Sequence, residues 1–120
     1  MVIAVVDDLL FSSKIRAVAQ TAGGAVTFAR SGAAAVEAAK DPVASLAIVD
    51  LEGRAGNSIE VIRLLRGTAG PGLRIIGYGS HVNVALLESA REAGCNQAMA
   101  RSAFVAALPS LLAPASAAAE

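Results

Sequence analysis

Apolar residues recur along this chain in two rhythms. Short unbroken runs, Val2-Ile3-Ala4-Val5-Val6 and Leu46-Ala47-Ile48-Val49, are too short to cross a membrane and end in acids. Such runs mark strands buried on both faces. Residues 9–22 change to helical spacing, with Phe11, Ile15, Val18 and Ala22 three or four apart. Ser12 or Ser13 is placed to cap that helix and Gly23-Gly24 to end it. Residues 25–29 read as a short strand, and Ser31-Gly32 opens an alanine-rich helix stopped by Asp41-Pro42. Beyond the central run lies a loop with two glycines, Gly53 and Gly56. Ser58 is placed to cap the next helix, which carries Ile59, Ile62 and Leu65. A fourth strand over 73–78 ends in the loop Gly79-Ser80-His81. A helix over 82–93 sends Val82, Leu86, Ala90 and Ala93 one way and Val84 and Leu87 the other, offering the latter two to a partner or second copy. A weak strand at 97–100 precedes a last helix from Ser102, with Phe104, Leu108 and Leu112 on one face. Pro109 predicts a kink or break in it. The pattern divides the chain into a domain over 1–113 and a flexible tail over 114–120.

Strand and helix alternate five times. That order predicts an α/β fold, a doubly wound parallel sheet with right-handed crossovers and helices on both faces. In such sheets the functional crevice lies beyond the carboxyl ends of the strands. Asp50 ends the central strand and Asp7-Asp8 ends the first. If these strands are neighbours, three carboxylates converge at one edge, and a hard cation such as Mg²⁺ relieves their repulsion. Capping and turn chemistry is the other reading of the same acids.

Composition narrows the class. The chain has 120 residues, enough for one domain with a core; 55% are apolar and 17% charged, which excludes disorder. Ten basic residues balance ten acidic ones and are scattered singly, unlike a nucleic-acid-binding stripe. Lone Cys95 reads as a small core residue in a reducing compartment. Without an apolar span or a basic amino-terminal region, the expectation is a soluble cytoplasmic protein that does not engage the membrane. His81, the only histidine, has no nucleophile partner, and no set for a conventional enzyme is evident.

Val6-Asp7-Asp8, Ile48-Val49-Asp50-Leu51 and Ala93-Gly94-Cys95, in this order and spacing, resemble the receiver domains of two-component response regulators. The resemblance covers nearly the whole chain and implies a flavodoxin-like sheet of order 2-1-3-4-5. It implies that Asp50 accepts a phosphoryl group from a histidine kinase or phosphotransfer protein. Mg²⁺ would be held by Asp8, Asp50 and the Glu52 carbonyl, with Asp7 assisting through water. Output would pass by protein contact through the face of helix four, strand five and helix five, to a downstream protein or in a homodimer. Departures accompany it. Arg101-Ser102 stands where the family has Lys-Pro, and Arg101 is placed to pair with Asp50 or its phosphate. Either Gly79 or Ser80 takes the hydroxyl position after strand four, and Ser80 serves equally as a helix cap. Ala98 matches the aromatic switch position, and Gly53-Arg54 replaces Met-Pro. These changes leave a rival open: a phosphorylation-independent pseudo-receiver, an interaction module in which Arg101 pairs permanently with the acidic pocket.

Overall fold

A computed structural model of the chain describes residues 1–53 and 57–113. Strands and helices alternate as β1 (Val2–Val5), α1 (Leu9–Ala22), β2 (Val26–Phe28), α2 (Gly32–Ala39), β3 (Leu46–Asp50), α3 (Ser58–Ala69), β4 (Arg74–Gly79), α4 (Val84–Ala93), β5 (Gln97–Ala100) and α5 (Arg101–Leu111), with a 3₁₀ turn at Gly70–Gly72 before β4. The five strands form one parallel sheet in the order β2-β1-β3-β4-β5. The parallel sheet is the one expected from the alternation, and its order is the flavodoxin-like one that the resemblance implied. The proposed tail over 114–120 and the loop residues Arg54 and Gly56 lie outside the described residues.

The pleat sorts the apolar runs into two layers. Ile3, Val5, Ala47, Val49 and Ile75 face one side, where Ala35 of α2, Ile62 and Leu65 of α3 and Ala90 of α4 cover them. Ala4, Val6, Ile48, Ile76 and Tyr78 face the other, under Ile15 of α1 and Phe104 and Leu108 of α5. Because β1 and β3 are central and apolar on both faces, a charge is tolerated only where each strand stops. Asp7 and Asp50 mark those stops. The register pairs Val5 with Val49 and Asp50 with Tyr78, so the acidic ends of β1 and β3 lie side by side.

Local chemistry differs from the sequence expectation in four places. Asp8, not Ser12 or Ser13, caps α1; its Oδ1 accepts from the Leu10 and Phe11 amides at 2.7 and 3.1 Å. Ser12 is buried inside α1 and donates to the Asp8 carbonyl at 2.7 Å. Asn57 caps α3, while Ser58 donates to the Leu51 carbonyl at 2.8 Å and ties the helix start to the end of β3. Helix α4 begins at Val84, so Ser80 is not its cap, and Leu87 is buried with Ala90 and Ala93. Of the pair expected to face a partner, only Val84 is exposed. Pro109 does not break α5, which ends at Leu111. It sits in the last turn, where only one helical hydrogen bond depends on its missing N–H, and Leu112 still donates to the Leu108 carbonyl.

The backbone after Asp50 is fixed from below. Leu51 is buried, and its amide donates to the Tyr78 carbonyl at 2.9 Å. Its side chain fills the space above Gly77, where a Cβ would lie 2.9 Å from Leu51 Cδ2 and 3.3 Å from Cys95 Sγ. Gly77→Ala should therefore force Leu51 out of its seat and cost about 1–3 kcal/mol. Urea denaturation measures this; an unchanged midpoint would show that the contact is easily relieved.

Candidate functional site

Asp7, Asp8, Asp50, Glu52, Gly53, Phe11 and Arg101 line one cavity of about 330 Å³ at the carboxyl edge of the sheet. The sequence expectation that β1 and β3 bring three aspartates to one edge is met as a matter of placement. Each acid has local duties. Asp8 spends Oδ1 on the α1 cap. Asp50 Oδ1 accepts from the Glu52 amide at 3.0 Å, and the Asp50 carbonyl accepts from the Gly53 amide at 3.2 Å, folding the chain back over the carboxylate. Gly53 permits that fold: a Cβ there would lie 3.2 Å from Asp7 Oδ1 and 3.3 Å from Asp50 Cγ.

Burial raises the Asp50 carboxyl above its ordinary range, the Glu52 amide and Arg101 oppose that shift, and Asp7 and Asp8 reinforce it. The charged form of Asp50 is thus held at a cost, as expected where like charges gather. The oxygen-only donors suit a hard cation. Even so, among the described residues no group of three or more His, Cys, Asp or Glu is positioned to hold a metal ion. The two observations concern different things. The cavity has the composition of a cation site, while its carboxylates are not drawn together around one point. A set made of Asp8, Asp50 and a backbone carbonyl contains only two acidic side chains and does not require such a group.

Arg101 is the first residue of α5 and reaches the cavity, as its position after β5 suggested. Its partner differs from the expected one. Nη2 donates to Glu52 Oε1 at 2.7 Å, a single-pronged ion pair in place of a fork on Asp50. The same Glu52 oxygen accepts the Ser80 amide at 2.7 Å. The Ser80 hydroxyl does not line the cavity; it accepts a 3.4 Å contact from the Val82 amide. Gly79 is the last residue of β4, and a Cβ there would lie 3.4 Å from Glu52 Oε1. The Glu52 carboxylate therefore sits against the position where a residue-79 side chain would stand. Sequence reasoning assigned Glu52 only a backbone role. Its acidity two residues past Asp50 was visible, but nothing in the chain's local pattern paired it with a cation 49 residues away.

Beneath Asp50, Tyr78 is fully buried and stacked between Phe11 and Phe104, with centroids at 4.9 and 4.4 Å. Its hydroxyl has no hydrogen-bond partner among the described residues. Burial, then Asp50 and Asp8, push its pKa upward, so it stays protonated. This aromatic stack between β4, α1 and α5 was not foreseen, because its members are spread from residue 11 to residue 104.

Comparison with known proteins fits this geometry. Neither protein-family models nor curated protein sequences gave a match. Solved structures did. The receiver domain of a sensor histidine kinase from Pseudomonas aeruginosa PAO1, with a magnesium ion in its active-site cleft, aligns with a TM-score of 0.78 at 22% identity over 92% of each chain. A Burkholderia pseudomallei response regulator carrying a phosphorylated aspartic acid, a calcium ion and citrate aligns at 0.78 and 19% identity, over 98% of this chain and 69% of that one. The receiver domain of NtrX from Brucella abortus aligns at 0.77 and 17% identity, over 92% of this chain and 93% of that one. The fold is that of the response-regulator receiver domain. No helix among the described residues is long and apolar enough to cross a membrane.

Two stability measurements probe the site. Because the Asp50 pKa is raised in the folded state, Asp50 destabilises the fold once pH exceeds its unfolded value near the ordinary 3.8 and then passes its folded value. Asp50→Asn should raise the melting temperature at pH 7, with the advantage shrinking as pH falls toward 3.8. An equal gain at all pH values would contradict the electrostatic origin. Tyr78→Phe removes a buried hydroxyl that lacks a protein partner and should be neutral or stabilising by up to about 1 kcal/mol. A loss of stability in chemical denaturation would reveal a partner for that hydroxyl.

Proposed function

We propose that the protein is an atypical receiver domain in a phosphorelay, with Asp50 as phosphoryl acceptor. The observation that carries this reading is Asp50 at the carboxyl end of β3, in a cavity shared with Asp7 and Asp8, within a receiver fold. An Asp50 oxygen would bond to phosphorus as the P–N bond to the imidazole of a histidine kinase or phosphotransfer protein breaks, and the imidazole leaves with the electron pair. Asp8, Asp50 and the Glu52 carbonyl would hold Mg²⁺, with Asp7 acting through water. The cation would supply neutralisation for charge spread over the phosphoryl oxygens. Magnesium in one fold neighbour and a phosphoaspartate with calcium in another support the analogy. The residues of this chain do the rest: Gly53 lets the backbone close over Asp50, and Arg101 supplies a fixed positive charge at the cavity wall. Phosphorylated Asp50 would signal by protein contact through α4, β5 and α5.

Specific observations favour a second reading, the pseudo-receiver. The acids do not form a closed metal group among the described residues, and Ala98 stands at the switch position of β5. On that reading the fold is a constitutive interaction module.

Intact mass after incubation with Mg²⁺ and acetyl phosphate separates the two. The expected outcome is the gain of one phosphoryl group in the folded protein and none in Asp50→Asn. Persistent absence of the adduct in folded, Mg²⁺-supplied protein would establish the pseudo-receiver.

A further inference from the structure

One carboxylate oxygen, Glu52 Oε1, gathers two donors from different elements. These are the Arg101 guanidinium at the start of α5 and the Ser80 amide just past β4, each at 2.7 Å. Both distances are those of charge-assisted hydrogen bonds. The carboxylate stands within 3.4 Å of the Cβ position of Gly79, so a glycine at the end of β4 leaves room for it. Glu52, Arg101 and Asp50 line the same cavity, and the Glu52 amide is itself bonded to Asp50 Oδ1. A side-chain anion therefore occupies the Arg101 donor at the wall of the cavity it shares with Asp7, Asp8 and Asp50, together with the Ser80 amide beside it.

We propose that the Glu52 side chain is an internal competitor for phosphoryl oxygens: its carboxylate holds the Arg101 and Ser80 donors until an oxyanion in the Asp50 cavity displaces it. The inference rests on the reading of this cavity as a phosphoryl site, and it assigns the Glu52 side chain a role distinct from its backbone carbonyl. A carboxylate and a phosphoryl oxygen are alternative partners for the same donors, and their negative charges repel in one cavity. Occupancy of the Asp50 site thus breaks the link that ties the β3–α3 turn to β4 and α5. The displaced Glu52 side chain, already about a third exposed, is free to move into solvent. The competitor sets the threshold for anion binding and couples it to the position of the β4–α4 loop.

Inorganic phosphate titration, followed by NMR at the Ser80 amide and the Arg101 guanidinium, tests the proposal. It is run in the Asp50→Asn background, where the nearest negative charge is removed, with and without Glu52→Gln. The near-isosteric Gln keeps the fold and the backbone carbonyl while removing the competing charge; Glu52→Ala serves as a second variant, and thermal melts confirm folding. The expected result is phosphate binding about tenfold tighter without the Glu52 charge, with both reporter signals shifting, and loss of that gain when Arg101→Ala is added. Equal affinity with and without Glu52, or phosphate that leaves both signals unmoved in every variant, overturns it. Free phosphate does not phosphorylate the Asp50→Asn protein, so failure of the acceptor reading in the mass experiment leaves this result independent.

Discussion

The cost of a charge at the end of a buried strand shapes this molecule. β3 is apolar on both faces for four residues, and its fifth, Asp50, is a carboxylate that burial and two neighbouring aspartates make harder to ionise. Much of the surrounding chain serves to hold that group where it is. Leu51 is locked over Gly77, Ser58 reaches back to the Leu51 carbonyl, and Gly53 folds over the carboxylate with no side chain to obstruct it. Burial of β1 and β3 supplies the stability that tolerates the repulsion, since large aliphatic side chains contribute about 1.5–3 kcal/mol each when fully buried.

Among the described residues, the positive charge that lines this cavity is hydrogen-bonded to Glu52 and not to Asp50. Arg101 is held by Glu52, on an ion pair exposed enough for salt to screen it. A lone arginine pressed against Asp50 would neutralise the acceptor and exclude a cation. Pairing it with Glu52 keeps the charge close and leaves the aspartates for another partner. That division lets an arginine line the cavity without bonding to its aspartates.

The fold was legible because its signals are local. Two short apolar runs, helical spacing at Phe11, Ile15 and Val18, and glycines at turns determine element order. The convergence of Asp7, Asp8 and Asp50 further required β1 and β3 to be neighbours, which the resemblance implied and the sheet order shows. The caps were misassigned where two polar residues competed: Asp8 and Asn57 each lie just before a serine-bearing helix start, and the serines turned to backbone carbonyls instead. Leu87 belongs to the buried face because it lies three residues before Ala90 and so shares its side of the helix, toward the sheet. The Glu52–Arg101–Ser80 contact and the Phe11–Tyr78–Phe104 stack were invisible for a different reason. Each joins residues far apart in sequence, and no periodicity encodes which side chain an exposed charge will choose.

As proposed, the carboxylate edge is a cation-dependent acceptor site and not merely a set of caps and turns. Titration of isotope-labelled protein with Mg²⁺, followed through the backbone amides, addresses it most directly. Saturable shifts confined to the amides around Asp8, Asp50, Glu52 and Gly53, abolished by Asp50→Asn, are expected. Amides that stay unmoved at these positions while the protein remains folded would contradict it and leave the acids as structural groups of an interaction module.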